Sequence, residues 1–295
     1  MPGYQPAILM PIPQSARYLS FVATPGTDLR SALKTLATLV DGERCVAGLG
    51  ASLVASLGAR IAGLHSFPAL QSTRLAIPST PTDLWLWLRG DDAGELFHRS
   101  RRMEDALAPA FELVDLTSAF RHGDGDDLSG YEDGTENPKG EDAVAAAIAP
   151  QGGAAPAGSS FVAVQRWVHR FDLFDAMSRD EQDAAIGRRR DDNEEIDDAP
   201  PSAHVKRTAQ ESFDPEAFVV RRSMPWSDGR RAGLVFVAFG RNFDAFIAQL
   251  KRMAGLEDGI EDALFRFTRP ESGGYYWCPP VRDGRLDLSA LKPRG

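Results

Sequence analysis

Apolar positions along the chain recur in two periods, and the alternation between them predicts the elements. Residues 18–23 form a short apolar run with aromatics, which predicts a strand. Residues 28–40 place Leu29, Leu33, Leu36 and Leu39 near helical spacing, with Thr27 as the expected N-cap. Residues 47–57 fit either period. Residues 83–88 contain five consecutive large apolar side chains, Leu84 to Leu88, as in a strand buried on both faces. A helix is predicted over 91–107 and a strand over 111–120. The second half repeats the theme, with strands over 160–167, 218–224, 233–239 and 275–278 and helices over 178–186 and 243–253.

Each half therefore reads as strand-helix-strand-strand-helix-strand, which is the ferredoxin-like unit. The fold class expected is α+β, with two ferredoxin-like halves, each an antiparallel sheet carrying helices. The stretch 143–160 is rich in Ala, Gly and Pro and reads as the connection. The expected domains are residues 1–145 and 146–295.

Composition narrows the function. A net charge of -9 argues against a nucleic-acid partner, which would leave a basic footprint. No apolar run is long enough to cross a bilayer. The first cationic residue is Arg17, and four prolines break the apolar start, so no signal peptide is expected. Cys45 and Cys278 form no disulfide framework, which fits a reduced, cytoplasmic compartment.

The most informative segment is Gly130-Tyr131-Glu132-Asp133-Gly134-Thr135-Glu136-Asn137-Pro138. Its glycines relax the backbone around Asp133, and Asn137-Pro138 favours a turn. A carboxylate on such a loop is either a surface turn residue or a catalytic group. The string resembles the GxxDG motif of dye-decolourising peroxidases, a haem enzyme family, and its Thr-Glu-Asn-Pro continuation is similar to the bacterial B-type branch. The resemblance extends to the Gly273-Gly274-Tyr275-Tyr276 region, about half the chain. It implies haem in the C-terminal half, and Asp133 as a catalytic residue.

A haem peroxidase needs an axial ligand, usually histidine. Of the five histidines, His98 lies in a charged helical stretch and His169 follows a strand among arginines, so both are expected at the surface. His65 and His122 remain competitors. His204, in Pro200-Pro201-Ser202-Ala203-His204-Val205-Lys206-Arg207, resembles the family's proximal-histidine segment and is the expected iron ligand. Without a C-x-x-C-H motif, the haem b implied is non-covalent, one per chain. Downstream, Arg221-Arg222-Ser223-Met224-Pro225 resembles the strand that carries the distal arginine, which places Arg221 and Ser223 in the catalytic set. Arg222 would face the other side of the strand. Asp262 resembles the family's proximal acid, with Glu261 and Glu257 as neighbouring alternatives. Arg207 is expected to pair with a haem propionate.

The resemblance thus implies a peroxidase that reduces hydrogen peroxide and oxidises dyes, phenols and other small aromatic reductants through a ferryl intermediate. Trp167, Trp226, Tyr275 and Tyr276 are candidates for carrying oxidising equivalents outwards. The rival function is a haem-handling or iron-releasing protein. The family often forms homo-oligomers, and some members ride in encapsulin shells on a C-terminal tail. Residues 286–295 offer no support for encapsulation.

Overall fold

The structure, a computed structural model, describes residues 3–72 and 75–292; the last residues of the C-terminal tail lie outside them. Eight strands form a closed antiparallel barrel: β1 (Ser15–Ala23), β2 (Cys45–Leu49), β3 (Leu84–Gly90), β4 (Phe111–Phe120), β5 (Ser160–His169), β6 (Met224–Asp228), β7 (Arg231–Gly240) and β8 (Gly274–Cys278). The order around it is β5-β8-β2-β3-β1-β4-β6-β7, and β7 pairs back onto β5 from Gly233↔Val168 to Gly240↔Phe161. Short strands Val220–Arg221 and Thr268–Pro270 extend the sheet beside β7 and β5. The N-terminal and C-terminal halves meet at two narrow seams, through the pairs Trp277↔Leu49 and Ala119↔Trp226.

The continuous apolar run of β3 follows from this closure. Leu84, Leu86 and Leu88 pack outward into a core with Leu33, Leu36 and Leu53 of the covering helices. Trp85 and Trp87 point into the barrel, against Tyr18, Phe239 and Tyr276. Both faces are buried, so neither needs polar residues. The ambiguous segment 47–57 is a strand end followed by helix Ala51–Ser56.

Several local expectations change. Asp28, not Thr27, caps helix Leu29–Leu39, because its carboxylate accepts from the Ser31 amide at 3.0 Å. The supposed connection begins as helix Gly140–Ala147, so the expected 145/146 boundary falls inside an element. The strand expected over 218–224 divides into Val220–Arg221 and β6, although one register runs through both. Both cysteines are buried and free. Among the described residues no helix is long and apolar enough to cross a membrane.

Candidate active site

Between the outer face of β5 and β7 and helix Asp244–Met253 lies a cavity that opens to solvent. Its walls are largely apolar, with Leu234, Phe236, Phe246 and Leu250 among them. Into it face Asp133, Arg221, His204 and His169.

His204 opens the one-turn helix His204–Arg207, placed there by a turn in which Ala203 N–H donates to Pro200 O at 2.8 Å. The adjoining Ser202 carbonyl accepts from the Ala263 amide at 2.8 Å, which docks this segment against Asp262. Asp262 caps the short helix Ala263–Arg266 by accepting from Leu264 N–H at 2.8 Å. Its other oxygen lies 2.7 Å from His204 Nδ1. The carboxylate is fully buried, and the imidazole is 21% exposed. Nδ1 is thus committed, which leaves Nε2 as the nitrogen able to bind a metal. Of the acids expected near His204, Asp262 is the one the structure pairs with it; Glu257 bonds Arg252 and Glu261 bonds Ser72.

Asp133 sits on the loop that its flanking glycines allow. Gly130 and Gly134 have φ of +85° and +77°, and a Cβ on Gly134 would stand 2.7 Å from Asn137 Nδ2. That amide has a task the sequence did not reveal. Asn137 Oδ1 accepts from the Arg221 amide at 2.7 Å, and Nδ2 donates to the Arg221 carbonyl at 3.1 Å. The loop therefore fixes the backbone of the strand that carries the arginine. Arg221 Nη1 is 3.7 Å from Asp133 Oδ1, and both side chains are mostly buried. Asn137 was legible only as a turn former, since its partner lies 84 residues away.

Two expected residues stand apart from the cavity lining. Arg207 is a correction: its guanidinium is bidentate on Asp258, at 2.7 Å to each oxygen, and donates to Arg252 O. A 6% exposed side chain so committed is not free for a propionate. Ser223 is buried, with Oγ 3.4 Å from Val237 N, and does not line the cavity. His169 is also a correction. Instead of lying at the surface it is 6% exposed, with Nε2 2.9 Å from Asp127 and Nδ1 2.7 Å from Thr268 Oγ1. His65, His98 and His122 are exposed and line no part of the cavity.

A planar, carboxylate-bearing prosthetic group suits this lining. Gln165 Nε2 and Trp167 Nε1 are buried without a partner, and both residues line the cavity from one face of β5. Buried donors ordinarily have acceptors, so these two await one. Among the described residues no cluster of three His, Cys, Asp or Glu could hold a bare metal ion. One available imidazole nitrogen in an apolar slot fits an iron that arrives already chelated.

Comparison with known proteins agrees with that chemistry. A family model described as Dyp-type peroxidase, C-terminal, matches residues 124–283. A dye-decolorizing peroxidase of Brevibacterium linens is 31% identical over 264 residues, covering 86% of this chain and 72% of that protein. One from Mycobacterium tuberculosis is 30% identical, covering 93% and 88%. Among solved structures, a DypB variant of Rhodococcus jostii RHA1 in complex with heme superposes with a TM-score of 0.87 at 26% identity, over 98% of both chains. A putative dyp-type peroxidase from Shewanella oneidensis gives 0.88 at 26% identity, over 100% and 99%.

Proposed function

The chain belongs to the dye-decolorizing peroxidase family, oxidoreductases acting on peroxide, and from that premise we propose that it is a haem b peroxidase in which His204 would hold the iron and Asp133 and Arg221 would act on the peroxide. The observation that carries this reading is the convergence of His204–Asp262 and Asp133–Arg221 on one cavity.

Haem, bound non-covalently at one per chain, would supply the redox-active iron at which peroxide is activated and from which one-electron donors are oxidised. His204 Nε2 would hold that iron. Asp262 keeps the proton on Nδ1, fixes the ring and makes the ligand more electron-donating. Asp133 accepts the first proton of the incoming peroxide and returns it to the outer oxygen, which leaves as water. Arg221 places its positive charge where negative charge grows as the O–O bond breaks. Asn137 holds Arg221 in register for that task. Gln165 and Trp167 replace Arg207 as candidate donors to the cofactor's polar edge. Ser223 supports the arginine strand from behind, through Val237.

The presence of both a base and a cation favours turnover over haem handling, which needs neither. Dyes and phenols are the donors we infer. We also read each half as ferredoxin-like: the orders β2-β3-β1-β4 and β8-β5-β7-β6 are the same arrangement, met twice. A cytoplasmic homo-oligomer is the state proposed, and nothing in residues 286–292 supports an encapsulin shell. The test is an absorption spectrum of the purified protein followed by rapid mixing with peroxide and steady-state dye turnover. A protein without a Soret band, or one inert to peroxide, rejects the reading.

A further inference from the structure

Two arginines that do not line the cavity hold the N-terminal segment. Arg89 ends the inward row of β3: its register partner is Ala16, and that of Trp87 is Tyr18. Arg222, one residue past Arg221, turns to the opposite side of its strand and donates to Leu9 O at 2.9 Å and to Arg221 O at 2.9 Å. Arg89 donates to Glu43 O at 3.0 Å and to Pro11 O, and its Nη1 lies 3.8 Å from Met10 Sδ. The two guanidiniums thus grip consecutive residues, Leu9, Met10 and Pro11, near enough for the charge of Arg89 to act on Arg222.

Their partners are carbonyls and a thioether. Among the described residues no carboxylate hydrogen-bonds to either guanidinium; Glu43 and Asp91 act on Arg89 through space, and the partly buried Arg222 has the positive charge of Arg89 as its neighbour. Arg89 is 6% exposed. Burial, and then the neighbouring charge of Arg89, push the Arg222 pKa down to about 10, far from the usual arginine value. Each guanidinium has five N–H groups and spends two on carbonyls. Arg89 Nε, Arg222 Nε and the hydroxyl of Tyr18, 3% exposed, are buried without a partner. The ring of Trp87 lies 4.7 Å under Arg89 and stacks on Tyr18, which keeps these groups in one cluster. Buried like charges with spare donors are costly alone, and an anion among them removes both costs.

We propose that the Arg89–Arg222–Tyr18 cluster binds one small inorganic anion, a halide or an oxyanion. The site stands apart from the haem chemistry and does not depend on it. It adjoins Arg221 through the Arg221 carbonyl, so its occupancy steadies the strand segment on which the catalytic arginine rides.

The holoprotein, exchanged into gluconate, is melted with chloride or phosphate added at constant ionic strength. Either anion should raise Tm by about 3 °C or more, the scale for a ligand at tens of times its Kd. Chloride alone identifies a halide site and phosphate alone an oxyanion site. Arg222→Met should abolish the shift and Tyr18→Phe should weaken it, whereas Arg221→Leu should keep it. Loss of the shift in Arg221→Leu would place the anion in the haem cavity and overturn the proposal. So would equal Tm values in all three salts. Should Arg222→Met fail to fold, crystals soaked in bromide decide the matter: an anomalous peak between Arg89 and Arg222 is required, and an empty map there rejects the site.

Discussion

Two histidines line the same cavity, each paired with an aspartate, and the pairs are built differently. His204 engages Asp262 through Nδ1, keeps Nε2 available and is 21% exposed. His169 engages Asp127 through Nε2 and Thr268 through Nδ1, and is 6% exposed. Thr268 Oγ1 lies 3.2 Å from Val168 O, to which it donates, so it receives a hydrogen from His169. One pair leaves a ring nitrogen of a cavity-lining histidine without a partner; the other spends both nitrogens on holding the wall together. The residue types are the same. The count of occupied ring nitrogens, not the neighbouring aspartate, distinguishes a ligand from a brace.

The largest expected effect breaks the first pair. His204→Ala should lose most of its haem, while His169→Gln should keep a ferric spectrum close to that of the wild type. Haem content by absorption, normalised to protein, checks both. The opposite result would exchange the roles of the two histidines.

Next comes the distal side. Arg221→Leu should slow the reaction with peroxide about 10²-fold, the usual cost of removing a donor that meets developing charge. Arg222→Leu should slow it by less than about tenfold, because Asn137 still holds the Arg221 amide and carbonyl. Stopped-flow mixing gives both rates, and reversed sizes would mean that the charge reaching the peroxide is that of Arg222. Asp262→Asn should retain the fold and hold haem about 10- to 100-fold less tightly, as loss of a partner behind a metal-binding imidazole does. Competition with apomyoglobin for haem measures it.

How much of this was legible in the sequence follows the reach of each interaction. Leu84 to Leu88 announced a two-faced buried strand because the signal is local. Asp133 was marked by glycines at positions 130 and 134 that the backbone needs. Resemblance to the distal-arginine strand chose Arg221, and strand alternation then put Arg222 on the other face. Closure of the barrel was not legible, since it depends on β5 and β7 pairing across some 70 positions. Arg207 failed for the same reason: its bidentate partner, Asp258, is 51 residues on and carries no pattern. His169 looked solvated because Arg166 and Arg170 flank it, but Arg166 points to the other side of β5, where it bonds Asp115. Flanking charge misleads in a strand whose two faces meet different surroundings.

A smaller effect concerns the route of electrons to bulky dyes. Of the four aromatic candidates only Trp167 lines the cavity, and its carbonyl accepts from Trp226 Nε1 at 2.9 Å. Tyr275 stacks on Phe243 and Tyr276 lies inside the barrel. Trp226→Phe should lower dye turnover severalfold and leave the peroxide reaction unchanged. Unchanged dye turnover would assign oxidation to the haem edge.

The smallest effect belongs to the second pair and tests its role as a brace. Burial alone would raise the Asp127 pKa. The hydrogen bond and charge of His169, with bonds from Ser129 N at 2.8 Å and Oγ at 2.6 Å, outweigh it and hold the carboxyl below the usual range. A depressed folded pKa stabilises the protein fully above the unfolded value near 4, and that stabilisation fades as pH falls through the lower folded value. Asp127→Asn should therefore cost about 2 kcal/mol at pH 7, the scale of hydrogen bonds to a charged group. The difference from wild type should shrink as the pH is lowered below about 4, while the haem spectrum stays intact. Urea unfolding across that range measures the gap. A gap of constant size would show that the carboxylate charge contributes nothing, and loss of haem would place Asp127 with Asp262 behind a ligand, erasing the distinction between the two pairs.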